Sequence, residues 1–228
     1  MGEQPAQSEA DGQERSGARG AGVTTRDRIV DAAMRLFHEQ GFAGTGIATI
    51  LREAGVNSGS LYHVFPSKEA LLEAVLEKYT ELLQPIVMQP QRDASPGDPI
   101  ERIFTLLNWY RQGLVMTNCS LGCPIGNLAL EVSDQLPGAR ALVDANFDGW
   151  CAEIHRWLAE AGDRLPADCD RERLSRFVLT VMEGGVMQAR AEKRIERYDE
   201  SVAALRDYFD RMLDDARRER DRRSAGKV

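Results

Sequence analysis

From Thr24 onward, apolar stripes of helical period alternate with corners of small residues. In "TTRDRIVDAAMRLFHEQGF", Ile29, Val30, Ala33, Met34, Leu36 and Phe37 recur at three- and four-residue intervals and so share one helical face. Thr24 or Thr25 supplies the N-cap, and Gly41 the left-handed stop. A shorter second helix is expected behind Thr45 as its cap, with Ile47, Ile50, Leu51 and Ala54 inward and Gly55 at its end. Asn57 opens a third, which stops at Phe65-Pro66 because proline cannot continue the ladder. Ser67 caps a fourth, whose long unbroken stripe runs Leu71, Leu72, Val75, Leu76, Tyr79, Leu82, Leu83, Ile86.

"MQPQRDASPGDP" reads as a loop. Ile100, Ile103, Phe104, Leu107, Tyr110 and Leu114 then mark a fifth helix. A sixth runs from Pro124 to about Gln135, where Leu136-Pro137-Gly138 breaks it. The seventh carries Val143, Phe147, Trp150, Ile154 and Leu158 and ends at Gly162. Leu174, Phe177, Val178, Val181, Met182, Gly185 and Val186 form an eighth; Val202, Leu205, Phe209 and Met212 form a ninth. The charged "DDARRERDRRSAGKV" after it reads as a frayed end. No period-2 alternation survives, so the expected fold is all-α with about nine helices. Residues 1–23 carry too little apolar surface for a core and read as a disordered tail.

Composition narrows the class. An apolar content of 43% suits a soluble globular chain with a real core. The N-terminus lacks the apolar region of a secretory signal. Gln112 to Leu130 is uncharged over nineteen positions, but Asn118, Ser120, Gly122, Pro124 and Asn127 make it a poor bilayer helix. A cytoplasmic protein without a membrane partner is therefore expected. Cys119, Cys123, Cys151 and Cys169 form no C-x-x-C, and the three histidines have no zinc spacing. His155 follows Cys151 by four residues, and two ligands on one helical turn do not make a site. No metal, cofactor or catalytic residue is expected. The net charge of −7 argues against a generic polyanion binder. Between Thr24 and Pro66, however, Arg26, Arg28, Arg35 and Arg52 balance Asp27, Asp31, Glu39 and Glu53.

The most informative stretch is "GTGIATILREAGVNSGSLYHVFPSKEALLEAVL". Helix, tight glycine turn and helix make a helix-turn-helix. Gly55 permits the turn, Val56 tucks beneath it, and Leu61 and Phe65 bury the second helix. Ser58, Gly59, Ser60, Tyr62 and His63 are left outward, near a helix start whose N–H groups attract phosphate. Lys68 in the first turn of the fourth helix opposes the macrodipole unless an anion lies close, and a DNA phosphate would supply one. The alternative leaves Tyr62 and His63 as core caps and Lys68 simply solvated.

From about Thr25 to Leu76 the chain resembles the DNA-binding module of the TetR/AcrR family of bacterial transcriptional regulators. Gly41-Phe42, Ala54-Gly55-Val56, Leu61-Tyr62, Phe65 and Ser67-Lys68-Glu69 all fall in register. The resemblance implies a three-helix DNA-binding domain over residues 24–70, with the helix-turn-helix at about 45–65. A helical effector-binding and dimerisation domain would span 71–213, and a charged end 214–228. It also implies a homodimer on a palindromic operator. Thr45, Tyr62, His63 and Lys68 match positions that usually touch the DNA backbone; Gly46, Ser58, Gly59 and Ser60 match positions at or near base edges. Gly46 departs from a common hydroxyl residue, and Ser58 from a common Lys or other polar residue. The implied function is a ligand-responsive regulator, a repressor released by a small apolar or aromatic molecule.

Candidate effector contacts are Phe104, Trp109, Tyr110, Met116, Asn127, Phe147, Trp150, His155, Met182 and Met187, apolar walls with a few polar anchors. "NCSLGCPIGNLALEVSD" resembles a segment of some TetR subgroups, a few of which sense electrophiles or oxidants through cysteine. Cys123 before Pro124 would lie near a helix N-terminus, which lowers a thiol pKa, so a redox-sensing repressor is the alternative reading. A small buried hydrophobe is the other role open to that cysteine. Gly184-Gly185 would let the eighth helix approach a neighbour closely at the dimer interface. A helical enzyme or small-molecule carrier is the rival class; it lacks a P-loop, an ordered Rossmann fingerprint and an evident triad.

Overall fold

The computed structural model describes residues 24–225, apart from the side chains of Ser58, Ser60 and Leu61. The tail expected over residues 1–23, the last three residues of the charged end, and the side-chain roles expected of Ser58, Ser60 and Leu61 lie outside the described residues.

Short capped helices build the N-terminal unit. Helix α1 (Thr25–Gln40) opens with a capping box in which Thr24 accepts from the Asp27 N–H and Asp27 accepts from the Thr24 N–H. Gly41, at φ +78°, closes it. Helix α2 (Ile47–Ala54) ends on the left-handed Gly55 (φ 62°), and α3 is Ser58–Val64. Ser67 caps α4 (Lys68–Leu82) through the Ala70 N–H. Thr45 is not the cap of α2. Gly46 holds that position without a side-chain bond, and Thr45 is fully buried, its hydroxyl near the carbonyls of Leu36 (3.2 Å) and Gly41 (2.7 Å). It ties α2 to the end of α1 instead.

The expected loop after α4 is largely helix. The chain continues through a π-helical stretch, Leu83–Met88, into α5 (Gln89–Ala94). Pro85 lies inside the π stretch. A proline ring clashes with the carbonyl one α-turn back, and a wider turn is one way to relieve that clash while the helix carries on. Pro90 follows at the second position of α5, so the continuous helix carries a second proline past the π stretch.

The larger unit follows: α6 (Pro99–Met116), α7 (Pro124–Val132), α8 (Pro137–Glu160), α9 (Arg171–Glu192) and α10 (Glu196–Ala225). The break expected at Leu136-Pro137-Gly138 is there: α7 stops at Val132, and Pro137 begins α8, being at home at a first helical position. Helix α10 stays regular to Ala225, so the charged end is helical where fraying was expected. With α4, the π stretch and α5 counted as one, the described residues form the nine helices expected, and no strand occurs among them.

Helices α4, α6, α8, α9 and α10 pack around one core that includes Leu71, Leu107, Trp157, Tyr198 and Phe209. The Tyr198 hydroxyl donates to the Leu107 carbonyl (2.7 Å), fixing α10 against α6. Gly185 faces this core: a Cβ there would stand 3.1 Å from the Tyr198 ring and 3.5 Å from Ser201. Its close approach is thus to α10 of its own chain. Gly184 faces away, with nothing within 4 Å of a Cβ.

Candidate nucleic-acid interface and effector cavities

Gly55 allows the corner, and Arg28 of α1 holds it. The Arg28 guanidinium donates to the carbonyls of Ala54 and Gly55 (2.7 Å to the latter), meeting the last carbonyls of α2 with a positive charge. Arg35 pairs with Glu53 at 2.6 Å across the same two helices. Neither contact was legible in the sequence, because each joins residues far apart in the chain.

Around this corner Gly46, Gly59, Tyr62 and His63 are exposed. Tyr62 is 65% exposed, which leaves its ring accessible to a second surface. Thr45 departs from the expected set, because its buried hydroxyl already has carbonyl partners and does not face outward. Lys68 is half-buried over the Phe42 ring, 4.2 Å from its centroid, and donates to the Phe42 carbonyl. Burial pulls its pKa down while Glu131 and Glu69 oppose that shift. The anion that the first-turn lysine calls for is therefore available within the chain.

Glu131 lies on α7 of the larger unit. Its carboxylate accepts from the N–H groups of Phe42 (2.8 Å) and Ala43 (2.5 Å), both in the loop between α1 and α2. His38, near the end of α1, makes a second tie, its Nε2–H donating to the Gly122 carbonyl (2.7 Å) just before α7. The short α7 thus grips the small unit at both of its ends.

The start of α7 also walls a cavity of about 460 Å³ bounded by α4, the π stretch, α6 and α8. Trp109, Tyr110, Met116 and Trp150 line it, as expected, with Tyr110 packed between the two indoles at centroid distances of 5.2 and 5.3 Å. Ile86, assigned to the core stripe by periodicity, is half-exposed and lines it too. His38 and Asn146 join the wall, although their spacing gave no signal; Asn146 spends its amide N–H groups on the carbonyls of Leu76 and Leu142. Among the described residues no Asp, Glu, Lys or Arg lines this cavity.

Asn127, Phe147 and Met187 line a second cavity, between α7, α8 and α9. The remaining candidates line neither. Phe104 packs edge-on against Phe209 at 5.5 Å, Met182 is core, and His155 is exposed on α8. Aromatic and methionine positions at helical spacing serve core and cavity alike, so the pattern could not sort them.

Cys123 is the N-cap of α7, and the Gly126 N–H reaches its sulfur at 3.5 Å. That helix-end contribution favours thiolate, as expected, but it loses. Burial pushes the Cys123 thiol well above its ordinary range, and the negative charge of Glu183 adds to the shift. The expectation of a lowered thiol pKa is thereby corrected. In the folded protein at neutral pH, Cys169, which is only half-buried, is expected to label with iodoacetamide before Cys123. Peptide mass mapping over time checks this; equal or faster labelling of Cys123 would contradict it. Among the described residues no group of three His, Cys, Asp or Glu side chains could hold a metal ion, and no helix is long and apolar enough to cross a membrane.

Residues 29–75 match the family model described as bacterial regulatory proteins, tetR family. Residues 99–200 match that of the transcriptional regulator LmrA/YxaF-like C-terminal domain. The chain is 32% identical to the HTH-type transcriptional regulator YxaF of Bacillus subtilis (strain 168), over 74% of this chain and 86% of that one. It is 26% identical to the HTH-type transcriptional repressor DhaR of Mycobacterium sp. (strain GP1), over 81% and 92% respectively. Among solved structures, the regulatory protein TetR from Rhodobacter sphaeroides shares the fold, with a TM-score of 0.72, 23% identity, and coverage of 79% of this chain and 96% of that one.

Proposed function

The chain belongs to the TetR family of bacterial transcriptional regulators, and on that premise we propose that it is a dimeric repressor released from a palindromic operator by a small neutral, largely aromatic molecule. The observation that carries the reading is the double attachment of α7. Its first residues wall the uncharged aromatic cavity, and its Glu131 holds the loop that leads into α2. A molecule that fills the cavity and moves α7 also moves the frame of the DNA-reading corner. To shift the equilibrium, the molecule must bind the released state more tightly than the DNA-bound one. Among the described residues the wall carries no Asp, Glu, Lys or Arg and only His38 as a basic side chain, which favours an uncharged ligand.

Tyr62, His63, Gly59 and Gly46 are proposed to face the duplex, Tyr62 through sugar or phosphate. The proposed dimer surface is the outward face of α9, where Phe177, Thr180, Gly184 and Met187 recur at three- and four-residue spacing, extended by Tyr208 of α10. The Phe177 and Tyr208 rings meet at 5.7 Å, forming an exposed apolar patch that a second copy would cover.

Trp109 and Trp150 report on the cavity. Titration with uncharged aromatic probes is expected to find one that quenches tryptophan fluorescence and releases a labelled operator over the same concentration range. Quenching without any release would refute the effector reading.

A further inference from the structure

We propose that the cavity between α7, α8 and α9 is a second ligand subsite, one that selects for a hydroxyl group carried on an apolar skeleton. This cavity, of about 680 Å³, has an apolar wall of Phe147, Leu179 and Met187 and a polar end formed by Asn127, Glu183 and Arg190; Asp144, Asp148 and Arg176 also line it. Arg190 donates to the Asn127 Oδ1 (2.5 Å), which fixes that amide and turns its Nδ2 the other way. The Asn127 Nδ2 and the Glu183 Oε1 are both buried and neither atom is paired, although the Cys123 thiol lies within reach of the Glu183 carboxylate as a weak donor.

The local sequence makes room for both groups. A Cβ on Gly126 would come within 2.3 Å of the Glu183 Oε2, and one on Gly122 within 3.1 Å of the Asn127 Oδ1. The two glycines of "LGCPIGN" thus let Glu183 and Asn127 sit hard against the start of α7. Stranding a buried donor and a buried acceptor in one cavity is costly unless something completes them.

Charge and hydrogen-bonding capacity choose the ligand. An ammonium would satisfy only Glu183. A carboxylate would satisfy only Asn127 of the two and, though Arg176 and Arg190 also line the cavity, would set a second negative charge against Glu183. A neutral hydroxyl both donates and accepts, so an alcohol or phenol serves both groups without bringing a new charge into the cavity. The proposal rests on the ligand-responsive reading only through the two residues, Cys123 and Val186, that line both cavities.

Calorimetry without DNA tests the subsite, so failure of the repressor reading would leave its outcome intact. The probes are 2-naphthol and 2-methoxynaphthalene, which share a ring system but differ in the hydroxyl proton. The wild-type protein is expected to bind 2-naphthol at least tenfold more tightly. Glu183→Leu is expected to reduce that preference to less than twofold, and Glu183→Gln, which preserves the side chain's shape, to an intermediate value. Circular dichroism establishes that each variant is folded. Absence of 2-naphthol binding to the wild type, a wild-type preference below twofold, or a tenfold preference that survives in whichever variant folds would overturn the proposal.

Discussion

Glu131→Ala is expected to leave effector binding intact while the release of DNA shrinks at least tenfold. The substitution removes two charge-assisted hydrogen bonds to the Phe42 and Ala43 N–H groups and an anion near Lys68. Bonds to a charged acceptor contribute about 1.5–3 kcal/mol each when shielded. The Ala43 contact is exposed, so a total of about 2 kcal/mol is a reasonable figure. For a chain of this size that corresponds to a fall of roughly 4–8 °C in Tm. The functional effect should exceed the thermal one. With the carboxylate gone, the His38–Gly122 bond still ties the start of α7 to α1, but a change at the cavity loses its grip on the loop before α2. Coupling energies of this kind are about 1–3 kcal/mol, so losing most of one is a tenfold effect. Tryptophan quenching and DNA release measured side by side check it. Release that follows quenching as in the wild type would exclude Glu131 as the link. Glu131→Gln, whose single side-chain oxygen can accept from only one of the two N–H groups and which offers Lys68 no charge, should fall between.

The second large effect separates two adjacent glycines. Gly185→Leu places a branched side chain where even a Cβ would stand 3.1 Å from the Tyr198 ring, and that ring is buried and anchored to Leu107. Overpacking of this kind costs about 1–3 kcal/mol, and the held ring puts this case at the upper end. The protein is expected to melt at least about 6 °C earlier or to aggregate. Gly184→Leu meets nothing within 4 Å, and replacing a helical glycine gains up to about 1 kcal/mol, so the protomer should fold as before. If the outward face of α9 carries the partner, that variant should be monomeric in light scattering. A Gly184→Leu protein that remains a full dimer would contradict the assignment of that face.

The contrast between these glycines shows where sequence pattern stops. Adjacent helical positions differ by about 100° in direction, so a glycine pair in an apolar stripe signals close approach without saying which glycine approaches what. The helix-turn-helix corner was legible because its signals are local: Gly41, Gly55, Ser67 and the apolar spacing between them each act within a turn or two. Arg28, His38 and Glu131 were not legible, because their partners lie 26 to 89 residues away and nothing in a charged residue's neighbourhood names a distant carbonyl or N–H. Pro85 and Pro90 misled in a different way. Two prolines in a short span normally stop a helix, and the π stretch that carries the chain past the first leaves no mark in the hydrophobic period. The thiol was misjudged because a helix terminus can be read from sequence while burial and a carboxylate from α9 cannot.

Binding-site selection on the purified protein, followed by anisotropy titration of the enriched duplex, tests the regulator reading at its root. The wild-type chain should enrich a duplex with two inverted half-sites about one helical turn apart and bind it with two protomers and a Kd of about 10⁻⁸ M or tighter. Tyr62→Ala should weaken that binding at least tenfold with the helical circular dichroism unchanged. A selection that enriches no duplex, or a Tyr62→Ala protein that binds like the wild type, would contradict the placement of this corner on DNA.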